Sequence, residues 1–225
     1  MWLVLNSHIM TNKDIAIMGG TFDPVHIGHV EMIKYLVDNS HSNEVWVLPS
    51  YNSPHKDIDT IKSYEHRIDM LKIALKDVEK VHISRFEEEY EKNHPSTKTY
   101  TYEILGELKN KYVNYNFHFV VGFDSIKEIS TWHRYLELIR NYEFYIFDRS
   151  DYEFKTIEQK KFYLDNLGKH QGIDFKYKLF DFKVPNISST SIRSMLKNRY
   201  EYKNVLSVFL DNKVLEYIES NKLYI

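Results

Sequence analysis

The 225-residue chain contains no cysteine. That excludes disulfides, thiolate metal sites and cysteine nucleophiles, and leaves oxygen and imidazole as the ligands any metal would use. No apolar stretch approaches the ~18 residues that mark a membrane-spanning helix. Acidic and basic residues nearly cancel, 32 against 30, giving a formal charge of -2, so no broad basic field draws the chain to nucleic acid or to an anionic membrane. Glycine is scarce, with 7 residues, and neither a G-x-G-x-x-G fingerprint nor a Walker A loop occurs, so dinucleotide-binding and kinase readings lose their best support. There are no internal repeats. The apolar start Met1-Trp2-Leu3-Val4-Leu5 is brief, lacks a basic flank and runs into Asn6-Ser7-His8, so it is not expected to be a secretory signal. Met10 stands as an alternative start, and a cytoplasmic location is the expectation, with the nucleus left open.

What is present is a sizeable apolar fraction, 43%, enough for one main domain over 1–225, with 1–13 as an N-terminal extension and 184–225 as a C-terminal helical part. The chain turns on one stretch. Ile15-Ala16-Ile17-Met18 reads as a buried parallel strand, and it runs into Gly19-Gly20-Thr21-Phe22-Asp23-Pro24-Val25-His26-Ile27-Gly28-His29. Gly19 and Gly20 allow a sharp turn and close approach to a ligand, and Pro24 biases its neighbour away from helix. A helix over 29–39 is expected, with His26 and His29 on one face near its N-terminus, where N–H groups and the dipole favour an anion. A Gly-Gly turn or a lone histidine is ordinarily structural; all of them at one strand-to-helix junction make a phosphate-binding design.

Strands are expected over 44–48, 81–84, 117–121 and 143–147, alternating with amphipathic helices over 67–78 and 99–111. That alternation predicts a doubly wound α/β fold, a Rossmann-like parallel sheet with helices on both faces. The segments after the strands, 19–21, 49–56, 122–124 and 148–149, should then share the carboxyl edge, where ligands gather. The acidic run 87–91 is expected to be a solvated segment. In 152–182 only a helix over 157–167 and a strand over 175–182 are readable. Finally, Pro185-Asn186-Ile187-Ser188-Ser189-Thr190-Ser191-Ile192-Arg193 places hydroxyls and a guanidinium at a helix start, a second site suited to phosphate oxygens.

Taken together, these segments resemble the bacterial-type nicotinate-nucleotide adenylyltransferases of the nucleotidyltransferase superfamily, from Ile15 to Tyr224. Residues 19–29 match the phosphate-binding signature, Ser53-Pro54-His55-Lys56 a P-P-H-[KR] loop and Ile187 to Arg193 an I-S-S-T-x-I-R segment. Thr99-Tyr100-Thr101 resembles S-Y-T, Gly122-Phe123-Asp124-Ser125 resembles G-x-D-S, and Thr131-Trp132-His133 a tryptophan motif. Val214 to Ile218 with Leu223-Tyr224 looks like the closing helix. Thr99 replaces the usual serine, and the acidic run looks like a small insertion.

The resemblance implies a nucleotidyltransferase fold and a reaction of ATP with nicotinate mononucleotide to give deamido-NAD and pyrophosphate, with nicotinamide mononucleotide as a further acceptor and no nucleic acid or membrane partner. His26, His29, Lys56 and Arg193 would be catalytic. Gly19, Gly20, Thr21, Phe22, Gly122, Asp124, Arg149, Ser188, Ser189 and Thr190 would line the ATP and adenosine site with the two histidines and Arg193. Asn52, His55, Lys56, Tyr100, Thr101, Trp132 and His133 would meet the mononucleotide. Mg²⁺ would be held mainly by phosphates, with no metal ligand expected from the protein. A homo-oligomer is compatible with all of this. Phosphopantetheine or FMN adenylyltransferases share the first motif, and His26-Ile27-Gly28-His29 is also a tetrad of class I aminoacyl-tRNA synthetases, but no K-M-S-K-S sequence follows. A nucleotide-binding protein without turnover is the remaining alternative; the intact His26, His29, Lys56 and Arg193 argue against it.

Overall fold

The computed structural model describes residues 12–52, 61–95, 99–148 and 154–224. Its centre is β1 (Lys13–Gly20), paired on one side with β2 (Glu44–Pro49) and on the other with β4 (Tyr115–Gly122). With β3 (Val81–Ile83), β5 (Glu143–Phe147) and β6 (Tyr177–Phe180) the sheet runs β3-β2-β1-β4-β5-β6, and every neighbouring pair is parallel. The helices are α1 (Ile27–Asn39), α2 (Tyr64–Leu75), α3 (Phe86–Asn93), α4 (Thr101–Lys111), α5 (Phe123–Lys127), α6 (Tyr135–Asn141), α7 (Ile157–Asn166), α8 (Ser189–Lys197), α9 (Arg199–Phe209) and α10 (Asn212–Ser220).

Period-two alternation decides which helices cover which face. Ala16, Met18, Val45 and Val47 point to a core completed by Ile33 and Leu36 of α1, Met70 and Leu71 of α2, and Ile192, Leu206 and Val214 of α8, α9 and α10. Ile15, Ile17, Trp46 and Leu48 point the other way, onto Leu105 and Leu108 of α4, Leu138 of α6 and Leu164 of α7. Burial on both faces is why the strands read as nearly unbroken apolar runs.

The chain leaves β1 for β2 and β3, then crosses back to β4 on the other flank. The carboxyl ends of β1 and β4 therefore border a topological switch point, the crevice where such sheets bind ligands. The Ser50 N–H donates to the Gly20 carbonyl at 2.8 Å, clasping the ends of β1 and β2. Three local expectations change. The first helix begins at Ile27, and His26 caps it in extended backbone, φ -142° and ψ 172°, so His26 is not on a helical face. Arg67 lies inside α2 and is buried, not at its start. The acidic run forms α3, whose carboxylates are engaged: Glu88 takes Arg85 at 2.6 Å and Lys92 at 2.8 Å, which hold its carboxyl down at about 2.

Candidate active site

The loop from β1 to α1 is built around one aromatic side chain. Phe22 has φ 52° and is only 2% exposed. Left-handed backbone is unfavourable for a bulky residue and persists only where packing imposes it. A Cβ on Gly20 would stand 3.0 Å from the Phe22 ring, so this glycine admits the ring under the loop. The ring then meets His29 edge-on, with centroids 4.9 Å apart.

His26 is 4% exposed and its ring stacks on His29, centroids 3.7 Å apart. The His26 backbone N–H donates to His29 Nδ1 at 3.3 Å. A nitrogen that accepts a hydrogen bond carries no proton, so Nε2 is the protonated nitrogen of the neutral His29 ring and the one able to donate to an anion. A Cβ on Gly28 would sit 3.1 Å from the His26 ring and 3.5 Å from the Pro185 carbonyl, so the missing side chain is what seats His26 between α1 and the segment leading to α8.

Two arginines hold the carbonyls of this loop. Arg67 donates to the Thr21 carbonyl at 2.9 Å and the Lys62 carbonyl at 3.1 Å. Burial lowers its pKa, against the raising influence of the Asp23 charge. Arg193 donates from Nη1 to the Asp23 carbonyl at 2.8 Å. Asp23 itself is 1% exposed; its Oδ1 accepts from the Tyr224 hydroxyl at 2.5 Å and from the Lys62 N–H at 3.3 Å.

Arg193 stands on the first turn and a half of α8, and the hydroxyls before it are used within the protein. Ser188 caps the helix, accepting from the Ser191 N–H at 3.1 Å. Ser189 donates to the Pro24 carbonyl at 3.0 Å, and Thr190 Oγ1 accepts from Arg193 Nη2 at 3.1 Å. The expectation that the hydroxyls face phosphate oxygens is corrected to that extent: they bind the helix start to the signature loop. The Ser189 and Thr190 N–H groups of the first turn have no intrahelical acceptor, and the guanidinium has N–H donors beyond the two it uses on Asp23 and Thr190.

Beside these helix starts, a cavity of about 190 Å³ is lined by Gly19, Gly20, Ser50, Glu87, Thr101 and Trp132, together with Ile17, Leu48 and Phe119. Trp132 is partly exposed and meets Phe119 edge-on at 6.0 Å. Tyr100 and His133 stack on each other, centroids 4.5 Å apart, and His133 pairs with Glu103 at 3.1 Å; they adjoin Thr101 and Trp132 in sequence but are not in the cavity wall. Asn52 turns to Glu91 of α3 at 3.4 Å. Gly122 caps α5, and Asp124 lies exposed in its first turn. His55, Lys56 and Arg149 lie outside the described residues.

Sequence reasoning missed Arg67, Glu87 and the role of Asp23. Glu87, read as solvated, lines the cavity and accepts from the Tyr51 N–H at 3.1 Å. Burial pushes its carboxyl up to about 8, against the pull of that hydrogen bond and of Arg67. Its spacing from Phe86, which anchors α3 in the core, was the only available signal. Among the described residues no three His, Asp or Glu side chains converge as a metal cage.

Residues 17–195 match the cytidylyltransferase-like family. The chain is 32% identical over 212 residues to a probable nicotinate-nucleotide adenylyltransferase of Bacillus cereus (strain B4264), covering 94% of this chain and 98% of that one. It is 29% identical to a protein of the same description from Oceanobacillus iheyensis, covering 94% and 97%. Among solved structures, the Plasmodium falciparum nicotinic acid mononucleotide adenylyltransferase complexed with NaAD superposes with a TM-score of 0.74 at 25% identity, covering 94% of this chain and 97% of that one. The signature loop, the switch-point crevice and this near full-length similarity agree: the chain belongs to the nicotinate-nucleotide adenylyltransferases, within the cytidylyltransferase-like family.

Proposed function

We infer that the protein transfers the adenylyl group of ATP to nicotinate mononucleotide, giving deamido-NAD and pyrophosphate. The observation that carries this reading is a juxtaposition: the Arg193 bond to the Asp23 carbonyl ties the start of α8 to the loop that leads into α1, next to a cavity walled by Thr101 and Trp132. One side suits a chain of phosphates and the other a flat ring. Solved relatives from P. falciparum are complexed with NaAD and with APC.

A mononucleotide phosphate oxygen attacks the α-phosphorus of ATP, and the bond from that phosphorus to the bridging oxygen of the β-phosphate breaks, releasing pyrophosphate. A phosphate monoester with a second pKa of about 6 arrives largely dianionic at neutral pH, so no strong general base is needed. The protein supplies alignment and charge neutralisation. His29 Nε2–H would donate to a triphosphate oxygen, with His26 packed behind it fixing the ring. Arg193 and the Ser189 and Thr190 N–H groups would take the departing pyrophosphate, and Asn52, His55 and Lys56 the mononucleotide phosphate. Asp124, with Arg149, would hold the adenosine. Trp132 would stack on the pyridine while Thr101 orients its carboxylate. The imidazole, N–H and guanidinium donors here fit a Mg²⁺ carried by phosphate oxygens and water, which when bound neutralises charge on the triphosphate.

The test is pyrophosphate release with ATP-Mg²⁺ and, in turn, nicotinate mononucleotide, nicotinamide mononucleotide, phosphopantetheine and FMN. Turnover is expected with nicotinate mononucleotide. Turnover with phosphopantetheine or FMN and none with either pyridine nucleotide would overturn the reading.

A further inference from the structure

The chain's penultimate residue is bonded into the signature loop. Tyr224 is buried, in left-handed backbone at φ 63°, and its hydroxyl reaches Asp23 Oδ1 across 201 positions of sequence at 2.5 Å. An O–H donating to a carboxylate at that length is among the stronger hydrogen bonds a protein makes. Burial and the adjacent Asp23 charge both raise the Tyr224 pKa, so the hydroxyl stays protonated and remains the donor.

The other carboxylate oxygen shows what this bond controls. Asp23 Oδ2 is buried and has no hydrogen-bond partner among the described residues, yet it lies 3.8 Å from Arg193 Nη1. That separation is close enough for attraction and too long for a hydrogen bond. Arg193 instead uses one N–H on Nη1 for the Asp23 carbonyl and one on Nη2 for Thr190. A guanidinium has five N–H donors, so three remain for a ligand. A buried carboxylate beside a guanidinium would ordinarily close into a two-point pair, which would occupy the donors and cancel the charge that a phosphate needs.

We propose that Tyr224 is a positioning residue of adenylyl transfer: by holding Asp23 Oδ1, its hydroxyl keeps the carboxylate from closing on Arg193 and leaves the guanidinium available to the pyrophosphate. The C-terminus thereby acts on the reaction through Asp23 without touching a substrate. This rests on Arg193 meeting the pyrophosphate, as in the reading above.

The experiment uses the full chain and runs the reaction in both directions. Tyr224→Phe keeps the ring and removes the hydroxyl. Its KM for pyrophosphate in the reverse reaction, and for ATP in the forward one, should rise about tenfold, the equivalent of one lost charge-assisted hydrogen bond, while KM for nicotinate mononucleotide stays within about twofold. Adding Asp23→Asn removes the charge that would capture Arg193. The double variant should regain most of the pyrophosphate affinity even though its melting temperature falls further, because Arg67 loses its compensating charge. Equal rises in all three KM values for Tyr224→Phe, or a double variant weaker for pyrophosphate than the single one, would reduce Tyr224 to a packing residue. If the double variant does not fold, the KM split of Tyr224→Phe decides alone. Absence of nicotinate mononucleotide turnover in the unmodified protein would instead count against the functional reading, so the two failures are distinct.

Discussion

His26 and His29 stack face to face, 26° between their ring planes, although only His29 belongs to the helix that both introduce. His26 is buried and His29 is the more accessible of the two rings. The His26 ring packs close over Gly28, where a Cβ would stand 3.1 Å from it, and the His26 backbone N–H fixes the proton of neutral His29 on Nε2.

His29→Ala should therefore lower kcat by roughly a hundredfold, about 3 kcal/mol, the usual loss for one preorganised donor to a developing charge. The fold should survive, because the residue is partly exposed and Phe22 loses only an edge contact. Steady-state kinetics beside a thermal melt check this. A folded variant with unchanged kcat would remove His29 from the chemistry.

Glu87 gives a pH prediction. Its folded pKa, about 8, lies above an ordinary carboxyl value, so the fold favours the neutral acid. As pH rises above about 4.5 the unfolded chain ionises first, and stability is lost progressively up to about 8, then levels off. Glu87→Gln should escape this. Its stability relative to the unmodified protein should improve between pH 5 and 8 by about 2 kcal/mol, less than a fully buried carboxyl would give. Denaturant titrations across that range are the measurement, and a difference independent of pH would show that Glu87 is ionised throughout.

The central strands β1, β2 and β4 were legible because they carry long buried apolar runs and end in glycine or proline. Strand 143–147 is expected and found at those bounds, since Asn141 precedes it and Asp148 follows it. The candidate phosphate segments were legible because each is local: Gly20 and His29 lie in one short contiguous stretch and Ser188 in another. What pattern alone could not show is pairing at long range. Arg67 looks like any helix residue until it is seen holding Thr21, and Asp23 looks like a turn former until Tyr224 is found on it. Glu87 was misread for a related reason: a run of acids reads as solvated, and only the packing of Phe86 turns one member inward.

Trp132 stands at the cavity edge, partly exposed and resting on Phe119. Trp132→Ala should weaken nicotinate mononucleotide by about 1 to 3 kcal/mol, as for a base stacked on an aromatic platform, and leave ATP nearly unchanged. Separate binding titrations would show this. Equal losses for both ligands would mean that the indole supports the whole crevice.

Arg193→Lys should cost more than a retained charge suggests. The guanidinium anchors itself with one N–H to the Asp23 carbonyl and another to Thr190 while presenting further donors in the same plane. A lysine ammonium is a point charge on a flexible stem and cannot hold both anchors and still offer a fork to two phosphate oxygens. The start of α8 should survive, because Ser188 caps it and Ser189 ties it to Pro24 without any help from residue 193. ATP should then bind with a modest loss through the remaining N–H groups, whereas the step that builds charge on the departing pyrophosphate should slow by at least tenfold, since only interactions stronger in the transition state raise kcat. The measurement is kcat and ATP affinity at saturating Mg²⁺. A normal kcat with weaker ATP binding would show that Arg193 grips the ground state and that charge on the leaving group is stabilised elsewhere, with His29 the first residue to examine.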